Sequence, residues 1–234
     1  MKCAYLTIDD SPSRQTEMLV DFLSASQIPA ILFVRGSRLE QNPIAIEYAI
    51  EKGVLIGNHS YAHKPAGEME PQEWCDDFEL CEHLIEAAYA RVGIARPAKY
   101  YRFPYIDRGD GKKVEQIDKA AISNNNLTSI FQQYLKDNGF SQPFKNMPAS
   151  YPSEAADCLY TFTARDWMLN DTHRGQQVIK TREALLARAA DDAGLQNDAH
   201  PHVLLLHDQD GMTEDAIALI EWFRTEGFEF LDFS

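Results

Sequence analysis

Two adjacent carboxylates, Asp9 and Asp10, follow an apolar run in the segment TIDDSPS near the start of the chain. Neighbouring acids repel each other, and a charge at the end of a buried strand loses solvation, so the pair indicates a function. A second segment, HSYAH, places His59 and His63 four residues apart. Two imidazoles and one carboxylate, with a coordination position left for water, are a common hydrolytic metal site. On its own, an HxxxH spacing more often marks ordinary surface or core histidines.

Further polar residues lie at the carboxyl ends of predicted strands, where parallel α/β barrels assemble their active sites. They occur in the segments YYRFPY, TARDW and VLLLHD, and they are Arg102, Tyr105, Asp166, Trp167 and His207. Each has a structural alternative, such as an ion pair between Arg102 and Asp166. Because several separate strand ends each carry a polar group, we expect these residues to form one site.

Repeated strand and helix segments must position these residues. Short apolar runs indicate strands, and apolar residues at helical spacing, with Pro43 at a helix start and Gly227 after a helix end, indicate helices. The predicted strands are residues 3–8, 30–34, 54–57, 100–103, 203–206 and 228–231. The predicted helices are residues 13–26, 43–51, 71–91, 128–136, 176–193 and 214–226.

This alternation predicts a parallel sheet in an α/β fold. About seven strands fit either a closed barrel or an open doubly wound sheet, and no GxGxxG segment marks a dinucleotide site. We expect a single domain over residues 1–234, since this length commonly forms one core. Residues 124–153, rich in Asn, Gln, Ser and Pro, interrupt the alternation and predict an insertion.

The polar segments resemble, in the same order, the motifs of the polysaccharide deacetylase family, which is carbohydrate esterase family 4 with the NodB homology domain. TIDDSP resembles the first motif, HSYAH the second, RFPY the third, RDW the end of the fourth and LLLHD the fifth. The resemblance extends from Thr7 to His207 and implies a distorted (β/α) barrel of about seven parallel strands. It also implies a metal-dependent hydrolase that removes N-acetyl groups from N-acetylglucosamine units of chitin-like or peptidoglycan-like glycans.

The resemblance assigns the first two motifs to a metal and a base. Asp9 is expected to be the general base, and Asp10, His59 and His63 are expected to be the metal ligands. The two imidazoles favour Zn2+, although a carboxylate and open water positions also admit Co2+, Mn2+ or Ni2+.

The later motifs complete the expected site. Arg102 is expected to hold Asp9, and a backbone N–H beside Tyr105 to face the developing oxyanion. Leu205 is expected to line an acetyl pocket, and His207 to be the general acid. The remaining residues of the fourth motif are Asp166 and Trp167. From the residues alone, Asp166 has two possible partners, the protonated imidazole of His207 and the guanidinium of Arg102.

Three positions depart from the family pattern. Ser11 stands where the family usually has glycine, Ile8 where it often has phenylalanine, and Thr163 where the fourth motif usually opens with aspartate. None of these departures removes an expected ligand, base or acid. They make the identity of the substrate the least determined part of the prediction.

Composition limits the possible partners. The chain is 44% hydrophobic and 25% charged, as in ordinary globular proteins. Its net charge of -14 would repel nucleic acids and anionic lipids, and it favours neutral or cationic ligands. The four cysteines form no CxxC pair, which predicts reduced thiols.

Two other expectations concern location and alternative functions. No apolar segment is long enough to span a bilayer, and the first strand begins by Cys3, so we expect a cytoplasmic protein, or a secreted or periplasmic one if an export signal has been removed. One alternative function is hydrolysis of a small amide or imide on the same barrel. An alternative of another class is a catalytically silent glycan-binding protein. The oligomeric state is not predicted.

Overall fold

The computed structural model describes residues 2–111, 126–170 and 178–233. Its strands are β1 (Lys2–Ser11), β2 (Ala30–Val34), β3 (Leu55–Asn58), β4 (Phe162–Thr163), β5 (His202–His207) and β6 (Phe228–Phe230). Its α-helices are α1 (Thr16–Ala25), α2 (Gly36–Gln41), α3 (Pro43–Glu51), α4 (Pro71–Val92), α5 (Asn126–Asp137), α6 (Arg182–Ala190) and α7 (Thr213–Thr225). The alternation of strands and helices predicted from apolar spacing is confirmed.

All the strand pairs in the described residues are parallel, and the strand order is β3-β2-β1-β5-β4. β1 is the central strand, and it pairs with β5 from Ala4 to Asp9. β6 pairs with the first residues of β1, and β2 pairs with β1 from Leu6 onward. The long β1 therefore pairs with three other strands, β2, β5 and β6, and its carboxyl end lies between the ends of β2 and β5.

The predicted strand at residues 100–103 is wrong as a regular strand, but this segment helps to close the barrel. Tyr101 forms an isolated parallel bridge with Asn58 at the end of β3. Its carbonyl accepts a hydrogen bond of 2.7 Å from the backbone N–H of Cys158, which precedes β4. Pro104 then begins a 3₁₀ turn, because proline has no N–H to continue a strand ladder. The distorted barrel predicted by the family resemblance is thus confirmed.

Side chains of β1 divide between two sides of the sheet. Ala4, Leu6 and Ile8 pack with the surrounding helices in one apolar core. Tyr5 packs in a second core inside the barrel with residues of β2 and β5. Because strand side chains alternate, Thr7 and Asp9 continue the face of Tyr5, so Asp9 lies above the filled barrel interior.

The helices differ from prediction mainly at their ends. α5 includes the predicted helix 128–136, and α6 is shorter than the predicted helix 176–193, whose first two residues lie outside the described residues. The short helix α2 was not predicted, and residues 124–125 of the predicted insertion also lie outside the described residues. Where α5 meets α4, the ring of Phe131 stacks on Trp74 with centroids 4.3 Å apart.

The four cysteines are thiols that form no disulfide bond with one another, as predicted. Among the helices in the described residues, none combines the length and the apolar composition that crossing a membrane requires.

Candidate active site

A bulge at the end of β1 brings both adjacent carboxylates to one cavity. The pairing with β2 passes from Asp9 opposite Phe33 to Ser11 opposite Val34 and skips Asp10. Asp10 has φ 69°, a left-handed conformation that aspartate tolerates better than most residues. A bulge places two residues opposite one, so the alternation of side chains is interrupted and Asp9 and Asp10 line the same cavity.

Arg102 fixes the position of Asp9. Its Nη1 donates hydrogen bonds of 2.8 Å to Oδ1 of Asp9 and of 2.8 Å to Oγ1 of Thr7. Its Nε donates to the carbonyl oxygen of Cys158 at 2.9 Å, and its guanidinium lies 4.4 Å from the ring centroid of Phe33. Arg102 is fully buried, so its charge compensates the buried carboxylate of Asp9. Arg102 therefore pairs with Asp9, and of the two partners that the sequence left open for Asp166 the structure has His207 and not Arg102.

Asp10, His59 and His63 form a cluster of three ligand atoms that all lie within 4.8 Å of one another. Nε2 of His63 lies 3.3 Å from Oδ1 of Asp10. Nδ1 of His59 donates a hydrogen bond of 2.8 Å to the carbonyl oxygen of Arg102, because a carbonyl only accepts. This bond leaves the lone pair of His59 on Nε2, which is the usual tautomer of a metal-ligating histidine held by a backbone carbonyl.

The protonation states of the cluster match those of metal ligands. Burial lowers the pKa of His63 to about 3 and also lowers the pKa of His59, so both imidazoles are neutral at neutral pH. Burial raises the pKa of Asp10, but the positive charges that His63, His207, His59 and Arg35 carry at low pH, where Asp10 titrates, together lower it further than burial raises it. Asp10 is therefore a carboxylate, and metal binding needs no prior loss of a proton.

One oxygen of Asp10 shows that the cluster fits a cation. Oδ2 accepts a hydrogen bond of 2.6 Å from Nε2 of Gln209, whose own Oε1 accepts one of 3.0 Å from Asn170. Oδ1 is buried and accepts no hydrogen bond from the described residues. A buried carboxylate oxygen without a donor is costly, and a divalent cation shared with His59 and His63 would satisfy it.

A second pair of residues forms a proton donor at the cavity. Nδ1 of His207 donates a hydrogen bond of 2.8 Å to Oδ1 of Asp166, and the backbone N–H of His207 donates one of 2.7 Å to Oδ2. Burial lowers the pKa of His207, but the charge and hydrogen bond of the fully buried Asp166, assisted by Asp10 and Asp9, raise it to about 9. His207 is therefore protonated at neutral pH.

The remaining predicted residues lie on the wall of the same cavity, whose volume is about 580 Å³. Tyr105, Trp167 and Leu205 all line it. Tyr105 has φ 57° and is 48% exposed, and its ring centroid lies 4.7 Å from that of His63. Leu205 is almost fully buried and forms an apolar part of the wall. The described residues thus bring every predicted site residue to the cavity or into contact with a residue that lines it.

Sequence reasoning missed other polar residues on this wall. Arg35 directly follows β2, so the rule that polar groups at strand ends build the site would have found it. Arg38 and Gln209 also line the cavity but lie within a helix or beyond a strand end, where no spacing rule marks them. Thr163, one of the departures from the family pattern, lines the cavity and accepts a hydrogen bond of 3.1 Å from the backbone N–H of Arg165.

Comparison with known proteins agrees with this geometry. The family model described as "Polysaccharide deacetylase" matches residues 1–122, which is more than half of the chain. The chain therefore belongs to the polysaccharide deacetylase family.

Curated relatives match a shorter part of the chain. A chitin deacetylase of Colletotrichum lindemuthianum is 32% identical over 106 residues, which are 43% of this chain and 41% of the relative. A peptidoglycan-N-acetylglucosamine deacetylase of Bacillus cereus is 28% identical over 103 residues, which are 43% of this chain and 35% of the relative. The chain thus spans less than half the length of these relatives.

Solved structures share the fold over nearly the whole chain. A family 4 carbohydrate esterase from Streptomyces lividans in complex with acetate has a TM-score of 0.64 at 19% identity and covers 100% of this chain and 93% of its own. A family 4 pseudoenzyme from Bacillus anthracis has a TM-score of 0.63 at 16% identity and covers 98% and 63%. Since one of these proteins is called a pseudoenzyme, the fold alone does not decide whether a member is active.

Proposed function

We propose that this chain is a metal-dependent hydrolase that removes N-acetyl groups from oligo- or polysaccharides containing N-acetylglucosamine, of the chitin or peptidoglycan type. One observation supports this function above the others. A carboxylate held by Arg102 and a protonated imidazole held by Asp166 share one cavity with a ligand set for a cation. A base, an acid and an electrophile are the three components that hydrolysis of an unactivated amide needs.

The cation would be held by Asp10, His59 and His63, which are already in their ligand forms. When bound, a divalent cation supplies Lewis acidity for the acetyl carbonyl and for a water molecule. Two imidazoles and one carboxylate favour Zn2+, while Co2+, Mn2+ or Ni2+ fit the same donor atoms.

Asp9 acts as the general base. Its Oδ1 is occupied by Arg102, and its Oδ2 lies 3.6 Å from Nε2 of His59, which places this oxygen beside the ligand cluster. Asp9 takes the proton from the water that attacks the acetyl carbonyl, and Arg102 keeps the carboxylate oriented during the transfer.

His207 acts as the general acid. The amine that leaves in deacetylation is a poor leaving group unless it is protonated, and His207 carries a proton at neutral pH. Asp166 keeps the proton of Nδ1 in its hydrogen bond, so Nε2 is the atom that donates to the departing nitrogen. Base and acid thus come from the ends of neighbouring strands, β1 and β5.

The cavity wall suits an acetylated sugar. Leu205 offers an apolar contact for the acetyl methyl group, while Trp167 and Tyr105 offer rings for the apolar face of a sugar. A volume of about 580 Å³ lies within the range of ordinary small-ligand sites.

The test compares two variants with the wild type. Asp9→Asn keeps the ligand set, so we expect bound metal with acetate release from chitooligosaccharides reduced by roughly 100-fold or more. His59→Ala removes a ligand, so we expect loss of both metal and activity. Elemental analysis of each purified protein, combined with acetate measurement, separates these cases.

Two outcomes would contradict the proposal. Wild-type activity in Asp9→Asn would exclude Asp9 as the base. A metal-loaded wild type that binds chitooligosaccharides without releasing acetate would instead be a silent glycan-binding protein. Small N-acetylated amides are assayed in parallel. Acetate release from these compounds and not from chitooligosaccharides would indicate a hydrolase of small amides on the same barrel.

A further inference from the structure

The cavity wall carries an excess of positive charge in a strongly acidic protein. The chain has a net charge of -14 at neutral pH. The charged groups that line the cavity, apart from the neutral imidazoles of the ligand cluster, are Asp9, Asp10, Arg35, Arg38, Arg165 and His207. Four cations therefore face two carboxylates, and a bound divalent cation would add to the positive charge. The charged groups of this wall are thus mostly opposite in sign to the net charge of the chain.

Arg35 lies closest to the expected reaction centre. Its Nη1 is 3.9 Å from Oδ1 of Asp10, which is longer than a hydrogen bond, and its side chain is 23% exposed. Its Nε is buried and has no hydrogen-bond acceptor among the described residues. The guanidinium is therefore incompletely compensated by protein groups and remains available to an anion in the cavity.

Two further arginines line the cavity, Arg38 from helix α2 and Arg165 from the segment after β4. Nη1 of Arg38 donates hydrogen bonds of 2.5 Å to the carbonyl oxygen of Asp10 and of 3.2 Å to that of Asp208, which fixes its charge beside Arg35. Arg165 follows β4 and has a left-handed backbone with φ 61°. Arg35 and Arg38 carry like charges on the same cavity wall, and an anionic ligand would relieve the repulsion between them.

We propose that the cavity selects N-acetylated substrates that carry a carboxylate close to the acetamido group, and that Arg35 binds this carboxylate. The inference rests on the proposed deacetylase function, because the position of the amide is set by Asp10 and its cluster. Since Arg35 is 3.9 Å from Asp10, its anionic partner must lie next to the reacting group rather than at a distant sugar. A guanidinium pairs with a carboxylate through two parallel hydrogen bonds, which gives both affinity and orientation.

This inference reverses the ligand preference expected from net charge alone. Net charge favours neutral or cationic ligands, but local charges at a few ångströms outweigh distant ones, which are screened beyond about 8 Å at physiological ionic strength.

Two sources of substrate share this chemistry, and matched probes distinguish them. One is a sugar with a carboxylate ether beside its acetamido group, tested as N-acetylmuramic acid against N-acetylglucosamine. The other is an N-acetylated amino acid, tested as N-acetylglycine against its uncharged amide. N-acetylmuramic acid differs from N-acetylglucosamine by the ether group that bears the carboxylate. N-acetylglycine differs from its amide by the charge of the carboxylate.

The kinetic test measures acetate release by zinc-loaded enzyme. We expect the charged member of one pair to have a kcat/KM about tenfold higher than the neutral member, as a charge-assisted hydrogen bond supports. Arg35→Gln should abolish this preference, and Arg35→Lys should keep part of it. Arg91→Gln is the matched control, because Arg91 lies on α4, pairs with Glu47 and is outside the cavity.

The outcomes separate the inference from the proposed function. Equal kcat/KM values for charged and neutral members, or a preference unchanged in Arg35→Gln, would overturn the role of Arg35 while the deacetylase function stands. Absence of acetate from every compound, including chitooligosaccharides, would overturn the function instead.

A binding measurement then decides the inference without turnover. Calorimetric titration of zinc-loaded Asp9→Asn should show about tenfold tighter binding of the charged member, and this difference should disappear in Asp9→Asn combined with Arg35→Gln. Equal affinities, or no binding of either charged probe, would overturn the inference.

Discussion

At the scale of single residues, two adjacent aspartates differ in function because their partners differ. Asp9 accepts from a buried guanidinium, whereas Asp10 accepts from the neutral amide of Gln209 and keeps one oxygen for a cation. The charge of Asp9 is thus compensated by Arg102, and that of Asp10 would be compensated by a cation bound to the ligand cluster. The repulsion expected from the sequence is resolved by Arg102 on one side and by the ligand cluster on the other.

The His207–Asp166 pair makes a pH-dependent prediction. The pKa of His207 is raised to about 9, so its acid form is present at neutral pH and is lost as the pH rises through about 9. We expect kcat/KM to fall above about pH 9. In Asp166→Asn, burial remains while the charge of Asp166 is lost, so the alkaline limb should move down toward the ordinary value of 6.5.

The measurement is the pH dependence of kcat/KM for both proteins loaded with zinc. Asp137→Asn, at the end of α5, is the control and should keep the wild-type profile. An alkaline limb at the same pH in wild type and Asp166→Asn would show that this pair does not supply the acid.

The same pair affects folding stability in the same pH range. The raised pKa of His207 stabilises the folded protein below about pH 6.5, and this contribution is lost as the pH rises through about 9.

At the scale of elements, an apolar run was enough to predict a strand such as β2, which is buried on both faces. β2 occupies the residues predicted, because a parallel strand covered on both sides is a continuous apolar segment. Helix α4 was predicted from its apolar stripe and ends at Gly93, whose φ of 69° suits glycine.

The sequence could not show the features that depend on tertiary contacts. The bulge at Asp10, which brings both adjacent carboxylates to one cavity, depends on the register between β1 and β2. Residues 100–103 have strand-like composition, but their hydrogen bonds go to single residues of different segments. Gln209 has no motif of its own, and only the folded structure places its amide on Asp10.

The packing of α5 on α4 gives a prediction about the segment interpreted as an insertion. Phe131 is fully buried and stacks on Trp74, which is also fully buried. Phe131→Ala should therefore lower the free energy of unfolding by about 3 to 5 kcal/mol, because it leaves a cavity in an aromatic cluster. Urea denaturation of the variant measures this change.

The matched control is Ile130→Ala on the same helix, because Ile130 is 40% exposed and its change should be much smaller. If Phe131→Ala and Ile130→Ala destabilise equally little, α5 is a peripheral insertion that contributes nothing to the core.

At the scale of the whole molecule, the ligand cluster connects segments that are far apart in sequence. Asp10 lies on β1, while His59 and His63 follow β3, and β2 lies between these two strands in the sheet. A cation bound to all three residues would link β1 to the segment after β3 across the mouth of the barrel. Such a set of ligands is assembled only in the folded state, so metal binding must stabilise folding.

This linkage predicts a thermal shift that does not depend on substrate. At a free Zn2+ concentration about 100 times Kd, the folded state gains about 2.7 kcal/mol, which should raise Tm by roughly 5 to 10 °C for a chain of this size. Chelation should reverse the shift. His63→Ala should abolish it, whereas His200→Ala, at an exposed histidine outside the cavity, should retain it. A shift of equal size in His63→Ala would mean that zinc stabilises the fold from another place, and the cluster at the mouth of the barrel would lose its main physical support.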